Sequence, residues 1–178
     1  HLGKGRDIEY EEKNHNQPHI VYLAATDKVK VGVTRETQVP TRWIDQGAHQ
    51  TIVLARTPNR YLAGVLEVAL KALYSDKTNW RSMLKNIIND SIDLEEEKWS
   101  CCDMLPADLQ QYFTEDDSIL TLRFPSKQNP EKIQSLNLLK QAFFEGVLTG
   151  IKGQYLIFDN ETVFNVRRHT SFEIELDY

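Results

Sequence analysis

The chain has 178 residues, 40% of them apolar and 26% charged, which is enough to bury a core and suits one compact domain or two small units. A net charge of -5 excludes a protein that coats nucleic acid through bulk electrostatics, because such binding is driven by Lys and Arg displacing counterions from phosphates. No apolar stretch approaches the roughly 18 residues that a membrane-spanning helix needs, so no membrane role is expected.

The charge is unevenly spread. From Asp27 to Arg60 six cations (Lys28, Lys30, Arg35, Arg42, Arg56, Arg60) stand against three anions, a local +3. From Asp90 to Asp117 the single cation Lys98 stands against ten carboxylates, a local -9. The two cysteines, Cys101 and Cys102, are sequence neighbours and poorly placed for a disulfide, as expected of a soluble protein in a reducing cytoplasm. The sequence opens on His1 rather than Met, as expected of a chain whose start lies upstream.

Residues 1–18 form a polar lead-in, with a short strand expected near Ile8 to Glu11. His19 to Ala25 and Lys28 to Thr34 are β-branched runs joined by Thr26-Asp27, which predicts an antiparallel hairpin. Pro40-Thr41-Arg42-Trp43 opens a short helix that Gly47 ends, and Thr51 to Ala55 is a third strand. After Thr57-Pro58-Asn59, the residues Leu62, Val65, Leu66, Ala69, Leu70 and Leu73 recur at helical spacing. Thr78 is a cap for a further helix striped by Trp80, Met83, Leu84, Ile87 and Ile88. One or two helices follow, interrupted near Pro106. From Ile119 the chain turns β-rich: 119–124, 146–148, 154–158, 163–167 and 172–176 are short runs between turns. They predict a small antiparallel barrel or sheet extension over 118–178, following an α+β unit over 19–117.

One set of residues in the first half carries chemistry. Period-two alternation puts Tyr22, Lys30 and Gly32 on one face of the hairpin, with Gly32 leaving backbone room for a ligand. Arg42 on the next helix can reach that surface. Glu67 stands among Val65, Leu66, Val68 and Ala69, so its carboxylate needs a partner or a cation. A tyrosine, a lysine, an arginine and a carboxylate together suit phosphodiester chemistry: Arg stabilises the phosphate, a carboxylate holds Mg²⁺, and an ionisable group activates water.

Residues 19–90 resemble the GIY-YIG nuclease superfamily. Ile20-Val21-Tyr22 stands at the first motif, Lys30-Val31-Gly32 at the second, and Arg42, Glu67 and Asn79 at the later site positions. The wording Val-Tyr-Leu-Ala, Lys-Val-Gly-Val-Thr-Arg, Thr-Arg-Trp-Ile-Asp-Gln-Gly-Ala and Gly-Ile-Lys-Gly-Gln-Tyr-Leu is similar to a bacterial family called domain of unknown function 2797. The resemblance implies a three-stranded antiparallel sheet flanked by helices and a nucleic-acid partner, with a place in DNA repair among the roles of the superfamily. It makes Tyr22, Lys30, Arg42 and Glu67 the catalytic set, with Glu67 the ligand of Mg²⁺ or Mn²⁺. Lys30, Thr34, Arg35, Arg42 and Asn79 would contact nucleic acid. The chain departs from the pattern at Ile20, which replaces Gly, at Lys30, which replaces the Tyr implicated as general base, and at Val33. Lys30 serves as a base only where burial or cations such as Arg42 depress its pKa.

Structural readings stand beside these. Tyr22 can be a packed strand residue, Arg42-Trp43 a helix start, and Glu67 an i,i+4 partner of Lys71. His15 and His19 beside His1 invite zinc, although a site would need ligands from upstream. Arg167, Arg168, His169, Lys152 and Tyr155 can line a nucleic-acid surface or be strand-edge charges. Two functions therefore remain: a metal-dependent endonuclease, or a catalytically silent module that binds nucleic acid or protein.

Overall fold

The computed structural model describes residues 6–74 and 79–177. The first half runs α1 (Ile8–Asn14), β1 (His19–Ala25), β2 (Val29–Arg35), α2 (Thr41–Asp45), β3 (Gln50–Thr57) and α3 (Arg60–Leu70). Then come α4 (Trp80–Leu84), α5 (Leu94–Met104), α6 (Ala107–Gln110) and β4 (Ile119–Thr121). The chain ends with β5 (Gln134–Ser135), β6 (Leu148–Lys152), β7 (Tyr155–Phe158) and β8 (Thr162–Asn165). This is a mixed α+β architecture built on two open sheets, ordered β2-β1-β3-β4 and β5-β8-β7-β6.

All seven residues of β1 are buried, because the strand is flanked by β2 and β3 and covered on both faces. Val21, Leu23 and Ala25 face one core, which Ala63, Leu66 and Leu70 of α3 and Leu94 and Cys101 of α5 complete. Ile20, Tyr22 and Ala24 face a second, smaller core with Trp43 and Ala48. The α3 stripe forms because apolar residues recur along one side of the helix, and Asn59 starts it by accepting the Leu62 N–H at 3.0 Å. Burial of each large aliphatic side chain there contributes about 1.5–3 kcal/mol. Within α5, Lys98 is wholly buried and ties the helix to the chain before β4, donating to Asp116 O at 2.9 Å and Asp117 Oδ1 at 2.7 Å.

Four expectations are corrected. Ile8 to Glu11 is helix rather than strand, since Asp7 caps it by accepting the Tyr10 N–H and Glu9 and Glu11 favour its first turn. The first sheet has four strands rather than three, because Ile119–Thr121 pairs antiparallel with Gln50–Ile52. The C-terminal strands close no barrel: β6, β7 and β8 form a meander, and β5 joins β8 in parallel. Phe172 to Leu176 forms no strand, its alternation finding no partner ladder and leaving Ile174 and Leu176 exposed.

The second sheet takes its cover from the first half. Met83 and Leu84 of α4 pack on Ile157 and Val163, and Trp80 stacks on Tyr155 with ring centroids 5.6 Å apart. Gly153, at φ +59, forms the tight tip between β6 and β7; an added Cβ there would lie 2.9 Å from the Asp45 carbonyl of α2. The hairpin tip thus sits against the end of the helix that carries Arg42 and Trp43.

Candidate functional site

The pairing register places Tyr22 opposite Gly32 and Ala24 opposite Lys30, so Tyr22, Gly32 and Lys30 share one face. The space over Gly32 is not left for a ligand, as the sequence had suggested. A Cβ at Gly32 would lie 2.6 Å from both Cζ and the hydroxyl of Tyr22, so the tyrosine ring already fills it. Trp43 packs against the ring, its centroid 5.6 Å away in an edge contact at 62°. Tyr22 is wholly buried, and its hydroxyl donates to Gln46 Oε1 at 2.9 Å.

The elements around the hydroxyl explain its chemistry. Burial raises the Tyr22 pKa above its ordinary value; Arg42 and the Gln46 hydrogen bond oppose the rise, and Glu67 adds to it. Arg42 on α2 and Glu67 on α3 therefore both act electrostatically on one phenol, although 25 residues separate them in sequence. In this arrangement the Tyr22 hydroxyl is a hydrogen-bond donor, to Gln46. Burial lowers the Lys30 pKa, against an opposing effect of Asp27; Arg42, the cation expected from sequence to depress it, is not among the causes.

Glu67 is half-buried and pairs with Arg60, whose Nη2 lies 3.6 Å from its Oε2. The Arg60 chain runs along α3 over Gly64, where an added Cβ would meet Nη1 at 3.0 Å, and that Nη1 is buried without a partner among the described residues. A 3.6 Å contact is longer than a good charge-assisted hydrogen bond of about 2.8 Å. One carboxylate, with phosphate oxygens and water completing the shell, is a donor set that suits Mg²⁺ or Mn²⁺. Among the described residues, no group of three or more His, Cys, Asp or Glu side chains gathers as a metal site.

The remaining sequence candidates disperse. Thr34 is buried, and Arg35 points to the other face of β2, donating to Asn14 Oδ1 at 2.9 Å. Asn79 caps α4, accepting the N–H groups of Arg81 and Ser82, and the expected cap Thr78 lies outside the described residues. His15 pairs with Glu11 at 2.8 Å, and buried His19 hydrogen-bonds the Gln17 carbonyl at 2.7 Å; His1 lies outside the described residues. Cys101 and Cys102 are free thiols, and burial pushes both pKa values up. In the tail His169 is packed between Phe164 and Phe172 while Lys152 is buried.

Within the described residues of the first half, two arginines are paired with carboxylates, and Lys30 and Arg42 are among the cations that are not. Arg56 pairs with Glu36, and Arg60 with Glu67, whereas neither Lys30 nor Arg42 forms an ion pair among the described residues. Trp43 Nε1 is likewise buried without a partner. Sequence reading missed Gln46 and Arg60. Gln46 lies four residues after Arg42, one helical turn on, and Arg60 lies two turns before Glu67, so helical spacing was the signal for both. No helix among the described residues is long and apolar enough to cross a membrane.

A family model described as "Protein of unknown function (DUF2797)" matches residues 1–174. No curated protein and no solved structure matches the chain.

Proposed function

We propose, from the premise that the chain belongs to the DUF2797 family of unknown function, that it engages nucleic acid through the face of β2 and α2 that bears Lys30 and Arg42. The observation that carries this reading is the Arg42 guanidinium, set beside the Tyr22 hydroxyl and free of any carboxylate partner among the described residues. An arginine held by its surroundings and left unpaired is preorganised for a phosphate oxygen. Lys30 adds a second cation on the same face of the hairpin as Tyr22. The order Tyr22, Gly32, Arg42, Glu67 around an antiparallel hairpin supports a core of GIY-YIG type.

In fluorescence anisotropy with single-stranded and duplex DNA and RNA, Arg42→Ala is expected to weaken binding about tenfold, the loss of one charge-assisted phosphate contact. Arg56→Ala, which removes a cation already paired with Glu36, should leave it nearly unchanged. Equal affinity for wild type and Arg42→Ala would reject the proposed surface.

A second reading, metal-dependent phosphodiester cleavage, is favoured by one further observation: the charge of Glu67 reaches the same phenol that Arg42 approaches. Glu67 would then hold Mg²⁺ or Mn²⁺ against the phosphate that Arg42 binds. Tyr22 would position Arg42, and Lys30 is left as the ionisable group nearest to serving as a base. The catalytically silent binding module is the outcome when that metal chemistry is absent.

A further inference from the structure

A cavity of about 210 Å³ lies between the start of β3, the chain after α4, the segment following β4 and the end of β6. Its polar lining comprises His49, Asn86, Arg123, Ser126, Asn129 and Lys152. Two of these are cations and none is a carboxylate.

Lys152 decides what the cavity is for. It is 4% exposed, at the last position of β6, and its Nζ donates to Asn86 Oδ1 at 2.6 Å. Asn86 is set there by the end of α4, where it takes the left-handed conformation at φ 56 that asparagine tolerates. The Phe124 ring lies 5.6 Å from the same ammonium. A lysine has three donors, and one amide oxygen and a ring face do not replace the water lost on burial. Burial pushes its pKa down to about 8, with no carboxylate among the described residues near enough to hold it up, yet it remains largely charged at pH 7. A buried cation without a counter-ion is costly unless something negative enters. Arg123 and His49, which form no side-chain hydrogen bond or ion pair among the described residues, line the same cavity, and Arg123 is exposed.

We infer that this cavity is a binding site for a phosphate monoester dianion, held between Lys152 and Arg123 and hydrogen-bonded by the side-chain amides of Asn86 and Asn129. Two cations match a dianion better than a single carboxylate, and the amide donors suit an oxyanion with several acceptor oxygens. The volume lies below the roughly 300 Å³ at which pockets for drug-sized ligands begin, which fits a phosphoryl group with a small part of its carrier. The inference does not depend on the Lys30 and Arg42 face.

Isothermal titration calorimetry of the full chain with inorganic phosphate, adenosine 5′-monophosphate and adenosine tests this. Phosphate and the monophosphate are expected to bind and adenosine is not. Lys152→Met, which keeps the length of the side chain without its charge, and Arg123→Ala, at an exposed position, should each weaken binding about tenfold. Thermal melts of both variants establish that they are folded; Arg123→Ala carries the test if Lys152→Met is not. A monophosphate that binds more tightly than phosphate assigns a free nucleotide. An oligonucleotide that binds more tightly still, through its 5′-phosphate and not with a 5′-hydroxyl, assigns a nucleic-acid end. No binding of phosphate or monophosphate at millimolar concentration would overturn the inference, as would affinities that neither substitution changes.

Discussion

Gly32→Ala is expected to destabilise the protein by about 1–3 kcal/mol, the usual range for overpacking a filled site. The added Cβ would stand 2.6 Å from the Tyr22 ring, which Trp43 meets in an edge contact and Gln46 holds by its hydroxyl. For a chain of this length each kcal/mol lowers the melting temperature by roughly 2–4 °C. The same substitution in a Tyr22→Leu background should cost less, since the ring that creates the collision is gone. A double-mutant cycle measured by chemical denaturation reads that coupling, expected at about 0.5–3 kcal/mol. Additive costs would mean that the glycine is needed for some other reason. The contact also matters for function, because Tyr22 is the phenol beside which Arg42 is set.

Glu67→Gln is expected to abolish any metal-dependent cleavage while leaving nucleic-acid binding within a few-fold. Incubation of single-stranded, duplex, branched and damaged DNA and RNA with Mg²⁺ or Mn²⁺ would read the activity. Losing a carboxylate ligand should reduce the rate by about 10²–10³-fold, since the metal supplies several kcal/mol of charge stabilisation at the phosphate. Arg60→Ala should act in the opposite sense, freeing Glu67 from a cation that competes for its oxygens. Cleavage that disappears in Glu67→Gln and persists in Arg60→Ala would establish the metal reading. No cleavage by folded wild type would leave the binding module, and cleavage equal in both would place the chemistry elsewhere.

The parts of the fold that were legible in the sequence are those written in local pattern. The hairpin of β1 and β2, the α3 stripe with its Asn59 cap, and the break at Pro106 all follow from neighbouring residues. The parts that were not legible depend on distant partners. Ile119–Thr121 reads as a strand in sequence, but nothing local says that Gln50–Ile52 is its mate. Phe172 to Leu176 alternates as a strand should and remains unpaired, because propensity supplies no ladder. The short polar run before β1 is helical through one capping aspartate, a signal masked by its mixed composition.

The site divides in the same way. Alternation correctly puts Tyr22, Lys30 and Gly32 on one face, a purely local inference. It could not show that the tyrosine ring fills the space over the glycine and is buried, since that depends on Trp43 of α2 and Gln46 at its end. Glu67 was marked by its apolar surroundings, but its partner Arg60 sits two turns back. Lys152 entered the sequence reading as one of several tail cations. Its burial arises only where β6 meets the chain after α4, which no local pattern records.

The most direct test of nucleic-acid engagement by the Lys30 and Arg42 face is the salt dependence of binding, measured for wild type and Arg42→Ala over rising NaCl. With two phosphate contacts on duplex DNA, a log-log slope of about -1.8 is expected for wild type, and Arg42→Ala should reduce its magnitude by roughly 0.9. A wild-type slope near zero, or an identical slope in the variant, would contradict phosphate engagement at this face.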